Sequence, residues 1–218
     1  MVQSSLAPVV VLIGRAASGK TTSAETLARK SPVPVVVFGG FIRKEIEENT
    51  LIGQKAMAGL KTQGFVPTEI YMNYINNLIQ ANPAKFRNGF IVEAFPRSVF
   101  QVPEFEKFLR SKGMRIAHVF LFNVSKKTSA RRLQTRAKQT GREDVLPVEQ
   151  RQALFDQHAG RLLAEFGTKG MVSVVNSNHL PIRRMTNFFL ARHKARVRTV
   201  RKSKLRIIRP RIPRLPRR

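Results

Sequence analysis

The chain of 218 residues contains no cysteine, which excludes disulfide frameworks and thiolate metal sites. This composition suits a reducing compartment, and the few residues before the first apolar run are too short for a secretory signal or a transit peptide. We therefore expect an intracellular protein, located in the cytoplasm or in mitochondria. No apolar stretch approaches the roughly 18 residues that a membrane-spanning helix needs, so we expect no membrane span.

Acidic residues are scarce, and they end early in the chain. The sequence has 40 lysines and arginines against 13 acidic residues, a formal net charge of +27, and Glu165 is the last carboxylate. Residues 191–218 contain 13 lysines and arginines, and three prolines there (Pro210, Pro213 and Pro216) favour an extended arm. Because like charges repel, this basic tail is expected to become ordered only on a polyanion, either an RNA backbone, which we favour, or an acidic protein surface such as that of tubulin. A solvated tail is the plainer alternative.

The first motif is a buried strand that runs into a phosphate-binding loop. The apolar run Pro8–Ile13 precedes the segment Gly14-Arg-Ala-Ala-Ser-Gly-Lys-Thr21, and residues 23–28 have helical character. The two glycines allow the backbone N–H groups and the next helix N-terminus to converge on an anion. Lys20 is then expected to reach the outer phosphates, and the Thr21 hydroxyl a magnesium ion. A plain glycine turn between strand and helix is the alternative.

Further along the chain, apolar strands alternate with helical segments. We predict strands at 33–37, 90–93, 115–123 and 171–175, a helical region from 41 to about 79 that is broken near Gly64 and Pro67, and helices at 100–111, 125–137, 147–166 and 181–193. Alternation of this kind predicts a parallel sheet covered by helices on both faces, with the ligand at the carboxyl ends of the strands.

An acid and an arginine stand close together after the third predicted strand. Glu93 ends that strand, and Ala94-Phe95-Pro96-Arg97 follows. An acid at such a strand end in phosphate-loop enzymes lies near magnesium, directly or through water. An arginine fixed by the preceding proline contacts a phosphate from a defined direction. The alternative is an ordinary surface salt bridge between Glu93 and Arg97.

Three arginines follow in a pattern that suits phosphoryl transfer. Arg132 and Arg136 are four residues apart and share a helix face, and Arg142 lies beyond Gly141 in a loop. Fixed cations on a closing loop stabilise the negative charge of the transition state more than that of the ground state. Each arginine is alternatively part of the general basic excess. The four histidines show no metal-ligand spacing.

Together these motifs resemble the adenylate kinase family of nucleoside monophosphate kinases, closest to its short-lid, muscle-type branch. The similarity runs from about Val9 to His193. It rests on the phosphate loop up to Thr22, an arginine at Arg43, the Val-Pro-acid-Glu signature echoed at Val66–Glu69, the motif Phe90–Arg97, a glutamine at Gln101, lid arginines at Arg132, Arg136 and Arg142, and Asp144 after the lid.

The resemblance implies a P-loop NTPase three-layer α/β fold with a five-stranded parallel sheet over residues 1–190, an acceptor-binding segment at about 38–67, a lid at about 137–145, and the tail as an addition. It implies transfer of the γ-phosphoryl group of MgATP to a nucleoside monophosphate, with AMP as the expected acceptor. The donor nucleotide would contact Gly14, Ala17, Ser18, Gly19, Lys20, Thr21, Thr22 and Arg132. The acceptor would contact Phe38, Gly39, Arg43, Val66, Phe95, Arg97, Gln101 and Asp144. Lys20, Arg97, Arg136 and Arg142 would be catalytic, with Mg²⁺ held by Thr21 and, through water, by Glu93.

Several positions depart from the family pattern. Ala17 and Ala94 replace glycines, Glu93 replaces an aspartate, and Val145 replaces the second lid acid. Where the family has a Ser-Thr-Gly-Asp turn, this chain has Val37-Phe38-Gly39-Gly40, so Phe38 is expected either to occlude the acceptor site or to stack on a base. Ala153 stands where a further catalytic arginine is implied, and Arg151 is expected on a different face of the same helix.

Three functions remain open on the sequence. The favoured one is a working nucleoside monophosphate kinase that its tail anchors to an anionic assembly. The second is a weakly active or inactive subunit, with the same fold, of a large RNA-containing or microtubule-associated complex. The third is a different small-molecule kinase or an ATPase on the same scaffold, which the Phe-Pro-Arg and Gln101 spacing disfavours.

Overall fold

Strands and helices alternate along the chain in the computed structural model, which describes residues 6–30, 33–140 and 146–178. The strands are β1 (Ala7–Gly14), β2 (Val35–Val37), β3 (Phe90–Glu93), β4 (Met114–Asn123) and β5 (Val172–Asn176). The helices are α1 (Lys20–Lys30), α2 (Phe38–Glu47), α3 (Leu51–Gln63), α4 (Thr68–Ala81), α5 (Pro83–Phe86), α6 (Val102–Ser111), α7 (Lys126–Thr140) and α8 (Val148–Gly167), with a 3-10 turn at Val99–Gln101.

The described strands form one parallel sheet in the order β2-β3-β1-β4-β5. β1 lies at its centre, and its side chains alternate between two cores. Val9, Val11 and Ile13 belong to the core on one face, and Val10 and Leu12 to the core on the other. Burial on both faces explains why β1 is a continuous apolar run in the sequence. The predicted P-loop three-layer α/β fold is confirmed.

The element boundaries differ from the predictions at a few points. β2 begins at Val35 rather than at residue 33, and the helical region after it starts at Phe38. It breaks not only at Gly64, which adopts a left-handed φ of 74°, but also before Thr50. Thr50 begins the new helix because its side chain accepts a hydrogen bond from the Gly53 N–H at 3.1 Å.

Some predicted segments fall outside the described residues. This applies to the helix at 181–193, to the basic tail at 191–218, and to residues 141–145 of the predicted lid, whose first residues are the end of α7. The predicted acceptor-binding segment corresponds to α2, α3 and the residues after them. Within the described ranges, no helix is long and apolar enough to span a membrane.

An aromatic cluster fastens α2 to α4, to α6 and to the segment after β3. The ring of Phe38, at the start of α2, meets the Tyr71 ring of α4 edge-on, with 4.5 Å between centroids. Tyr71 in turn stacks on Phe95 at 4.4 Å, and Phe95 meets Phe105 of α6 at 4.9 Å. All four side chains are buried. Aromatic contacts of this kind stabilise a fold beyond the burial of apolar area, so α2 begins from a fixed position.

Candidate functional site

The phosphate loop connects the end of β1 to the start of α1. Its first residue must be glycine, because a Cβ at Gly14 would lie 2.5 Å from the carbonyl oxygen of Phe122 in β4. The loop is held from outside by two contacts. The Ser129 hydroxyl of α7 donates to the carbonyl of Ala16 at 2.8 Å, and the Arg15 guanidinium pairs with Asp156 of α8. The strand, loop and helix therefore stand in the order that the sequence predicts.

Two alanines hold backbone conformations that favour glycine. Ala17 in the phosphate loop has a φ of 52°, and Ala94, directly after β3, has a φ of 61°. Both stand where the resemblance implies glycine. A left-handed conformation costs an L-residue about 1–2 kcal/mol. The loops thus keep a glycine-type geometry although the residue is alanine, and the cost falls on stability.

Lys20 is buried at the head of α1 beside a buried carboxylate. Its Nζ donates to the carbonyl oxygens of Gly14 and Arg15, both at 2.8 Å, and lies 3.9 Å from Glu93 Oε1. Burial lowers the pKa of Lys20 to about 8; Glu93 opposes this shift, and Arg97, Arg151 and Arg136 add to it. An anion placed among these groups would favour the charged ammonium and raise this pKa.

The expected alternative of a salt bridge between Glu93 and Arg97 is wrong. Glu93 pairs with Lys20, and Arg97 Nε donates instead to the carbonyl oxygen of Ala94 at 2.9 Å. Both Glu93 and Arg97 line the cavity described next. Glu93 and Arg97 therefore do not form an ion pair with each other, and both can interact with a ligand in the cavity.

A cavity of about 560 Å³ opens over the phosphate loop and brings most of the predicted site residues together. Its walls include Gly14, Ala17, Ser18, Gly19, Lys20, Thr21, Thr22, Phe38, Gly39, Arg43, Val66, Glu93, Arg97, Arg132 and Arg136. Eight cationic side chains line it: Arg15, Lys20, Arg43, Arg97, Arg131, Arg132, Arg136 and Arg151. Among the lining residues that the structure describes, Glu93 is the one carboxylate. Such an excess of positive charge in a concave site concentrates anionic ligands.

Two of the predicted site residues, Gln101 and Phe95, do not line this cavity. Gln101 lines a second cavity of about 300 Å³, to which Phe65 and Val66 also contribute. Phe65 and Val66 line the larger cavity as well, so the two cavities adjoin. The Gln101 Oε1 accepts from the Arg97 N–H at 2.8 Å, which fixes the side-chain amide. Phe95 has no exposed surface and belongs to the aromatic cluster.

The α7 arginines face the cavity from the lid side. Arg132 Nη2 donates to the carbonyl of Ser177 at 2.8 Å, whereas its buried Nη1 has no hydrogen-bond partner within the described residues. Burial and the neighbouring Arg131 lower the pKa of Arg132. A buried guanidinium nitrogen without a partner is costly and suits an anionic ligand. Arg142 and Asp144 lie outside the described residues, so their roles remain predictions.

Sequence reasoning missed Arg151. It lines the cavity, whereas Ala153, where the resemblance implies an arginine, is exposed on another side of α8. The signal was present, because Leu154, Phe155, Ala159 and Leu162 follow Arg151 at helical spacing and line the same wall. Arg151 lies on a different face of the helix from Ala153, as predicted, but the face that lines the cavity is that of Arg151 and not that of Ala153. Tyr71 of α4, also in the wall, was missed as well.

Comparison with known proteins agrees with this geometry. The sequence model of the family described as adenylate kinase matches residues 12–171. An adenylate kinase of Synechococcus sp. is 27% identical over 174 residues, which cover 78% of this chain and 89% of that protein. One of Corynebacterium aurimucosum is 28% identical over 175 residues, covering 78% and 96%. One of Mycobacterium tuberculosis is 32% identical over 137 residues, covering 63% and 75%.

Replacing Ala17 by glycine should stabilise the fold. Glycine removes the strain of the left-handed backbone, and this stabilisation is larger than the cost of the extra conformational entropy of the unfolded chain. We therefore expect the free energy of unfolding to rise by about 0.5–1 kcal/mol, or the Tm by about 1–4 °C. The matched control is Ala28→Gly in the exposed part of α1, which should lose about 1 kcal/mol. Thermal unfolding of the two variants checks this. A loss of stability in Ala17→Gly would contradict the strain.

Phosphate binding should take up protons at alkaline pH. The pKa of Lys20 is about 8 in the folded chain, against 10.5 ordinarily. Burying the protonated side chain therefore lowers the free energy of unfolding below pH 8, and this loss of stability disappears as the pH rises from 8 to 10.5. Bound pyrophosphate at pH 8.5 is expected to raise the pKa of Lys20, so that this side chain takes up about half a proton or more. Calorimetry in buffers of different ionisation enthalpy measures the uptake. Equal uptake by Lys20→Met would show that another group is responsible.

Proposed function

The chain belongs to the adenylate kinase family and is therefore a nucleotide-binding phosphotransferase, and on that premise we propose that it moves the γ-phosphoryl group of MgATP to AMP. The observation that carries the proposal is the cavity in which eight cationic side chains stand against one carboxylate. When two nucleotides bind with their phosphate groups adjacent, the negative charges of those groups repel each other, and the cationic side chains of the cavity offset this repulsion. A cavity of about 560 Å³ that continues into a second one has room for the parts of both.

The donor phosphates are assigned to the phosphate loop. Lys20 and the loop N–H groups bind them, and Arg132, which lines the same cavity and whose buried Nη1 has no partner among the described residues, adds a further positive charge. Adenylate kinases use ATP with Mg²⁺, and the Thr21 hydroxyl and Glu93 carboxylate, both in the cavity wall, are the oxygen donors that this ion prefers. When bound there, the ion would neutralise charge on the donor phosphates.

The acceptor is assigned to the other half of the cavity. Arg43 of α2 and Arg97 bind its phosphate, and its base extends past Val66 into the second cavity beside Gln101. Because the Gln101 oxygen is held by the Arg97 N–H, its amide nitrogen is the group that remains for a base. An N–H donor suits the acceptor nitrogens of an adenine ring, so AMP is compatible with this site.

The reaction needs positioning and charge rather than a side-chain base. The attacking group is a phosphate oxygen that is already ionised at neutral pH. Arg136, Arg97 and Lys20 stabilise the negative charge that spreads over the moving phosphoryl group. The predicted closure of the lid with Arg142 excludes water, which otherwise competes as the acceptor.

The direct test is MgATP-dependent formation of ADP from AMP by the full chain. We expect about 1–100 turnovers per second, and a fall of at least about 100-fold in Lys20→Met, because a cation at the transferring group is lost. Lys112→Met, which removes an exposed lysine outside the cavity, is the control and should keep full activity. CMP, UMP and GMP, offered in place of AMP, give the acceptor selectivity.

The kinase assignment would be contradicted if the unaltered chain turned over no faster than Lys20→Met. It would favour the second candidate, a weakly active or inactive subunit of a large RNA-containing or microtubule-associated assembly. The observation that supports an assembly role is the run of 13 lysines and arginines without any acid in residues 191–218. As part of the present proposal, this basic tail anchors the kinase to RNA through its charge.

The tail should make RNA binding strongly dependent on salt. We expect the full chain to lose at least about 100-fold in affinity for a structured RNA between 50 and 200 mM salt, and a chain that ends at Leu190 to bind weakly at both. Replacing the tail arginines by lysine preserves the charge and should preserve binding. Fluorescence anisotropy measures each affinity. An RNA anchor would be contradicted if the affinity of the full chain for RNA were the same at both salt concentrations, or if the chain bound tubulin more tightly than RNA.

A further inference from the structure

Tyr71 stands in the wall of the main cavity, in the first turn of α4. Its side chain is 2% exposed. The wall around it includes Arg43 and Arg97, the groups to which the acceptor phosphate is assigned above, and also Glu93. Of the two tyrosines in the chain, Tyr71 is therefore the one that lines the cavity together with Arg43 and Arg97.

The ring of Tyr71 is held on two sides. It stacks on Phe95 with 29° between the ring planes, and it meets the Phe38 ring edge-on at 79°. Both phenylalanines are at most 2% exposed. A ring packed in this way has no freedom to choose another rotamer, so the direction of the hydroxyl is fixed before any ligand arrives.

The hydroxyl lies within electrostatic reach of Arg97, which is assigned to the acceptor phosphate, and of Glu93. Burial raises the pKa of Tyr71, the Arg97 guanidinium lowers it, and Glu93 raises it further. The hydroxyl is therefore protonated at neutral pH and can donate a hydrogen bond. It makes no hydrogen bond within the part of the chain that the structure describes. The hydroxyl is also not one of the fully buried polar atoms that lack a partner, so part of its surface stays accessible and a ligand oxygen in the cavity can reach it.

Phe38 explains why this hydroxyl is needed. It occupies the turn where the resemblance implies serine and threonine, and it offers no polar atom. Its ring contacts the ring of Tyr71. We propose that the Tyr71 hydroxyl donates a hydrogen bond to the phosphate of the acceptor nucleotide, between Arg97 and Arg43, and so supplies the contact that Phe38 lacks. This inference rests on the proposed function, because it assumes an acceptor nucleotide in this half of the cavity.

The kinetic test compares the two tyrosines of the chain. Tyr71→Phe keeps the packed ring and removes the hydroxyl. A hydrogen bond to a charged phosphate is strong, so we expect the KM for AMP to rise about 10-fold or more, while the KM for MgATP stays within about twofold. Tyr74→Phe is the control, since Tyr74 stacks on Phe41 at 4.0 Å and does not line the cavity. Equal KM values for AMP in the two variants would overturn the inference.

A second readout does not depend on turnover. The Tyr74→Phe chain keeps Tyr71 as its sole tyrosine, so tyrosine labelled with ¹³C at Cζ gives one resonance that reports on the hydroxyl. We expect it to shift when AMP is added. If calorimetry shows AMP binding and the resonance stays in place, the Tyr71 contact is wrong and the proposed function stands. If no AMP binds, the proposed acceptor and this inference both fail.

Discussion

Repulsion among the cations that the fold brings to one cavity governs the site. Among the described residues, the main cavity presents eight cationic side chains and one carboxylate. The pKa of Lys20 falls to about 8, first because the side chain is buried and then because Arg97, Arg151 and Arg136 lie near, although Glu93 is only 3.9 Å away. The loop carbonyls and Glu93 hold the Lys20 ammonium in place, and the arginines add to the lowering of its pKa that burial causes. A ligand rich in phosphate relieves this repulsion. The site is thus built to gain binding energy from negative charge, which is what phosphoryl transfer between nucleotides requires.

The geometry that withstands this repulsion comes from packing around the site. The aromatic cluster of Phe38, Tyr71, Phe95 and Phe105 fixes the start of α2 and the segment after β3. The Ser129 hydroxyl and the Arg15–Asp156 pair fasten the phosphate loop to α7 and α8. Where the sequence departs from the family, the conformation is kept and the cost is local. The left-handed backbone at Ala17 and Ala94 shows this, because alanine there holds the shape that glycine adopts without strain.

Local patterns in the sequence were sufficient for the fold and for much of the site wall. The apolar run before Gly14 and the position of Glu93 at a strand end are set by nearby residues, and the predicted sheet followed from them. Features that depend on distant residues were not predictable. Tyr71 and Phe95 decide whether the Phe38 ring turns into the core. Tertiary packing decides which face of α8 meets the cavity, and it brings Arg151 there rather than the position of Ala153. The helix break before Thr50 does have a local signal, because threonine is a favoured N-cap residue.

The central claim is that the donor and acceptor phosphates meet within the one cationic cavity. The most direct test is a calorimetric titration of the full chain with a bisubstrate molecule, two adenosines joined by five phosphates. The account predicts one molecule bound per chain, displaced by MgATP and also by AMP, with affinity that falls as salt is raised. Displacement by MgATP alone would contradict the account, because it would mean that the acceptor half of the cavity does not bind a nucleotide.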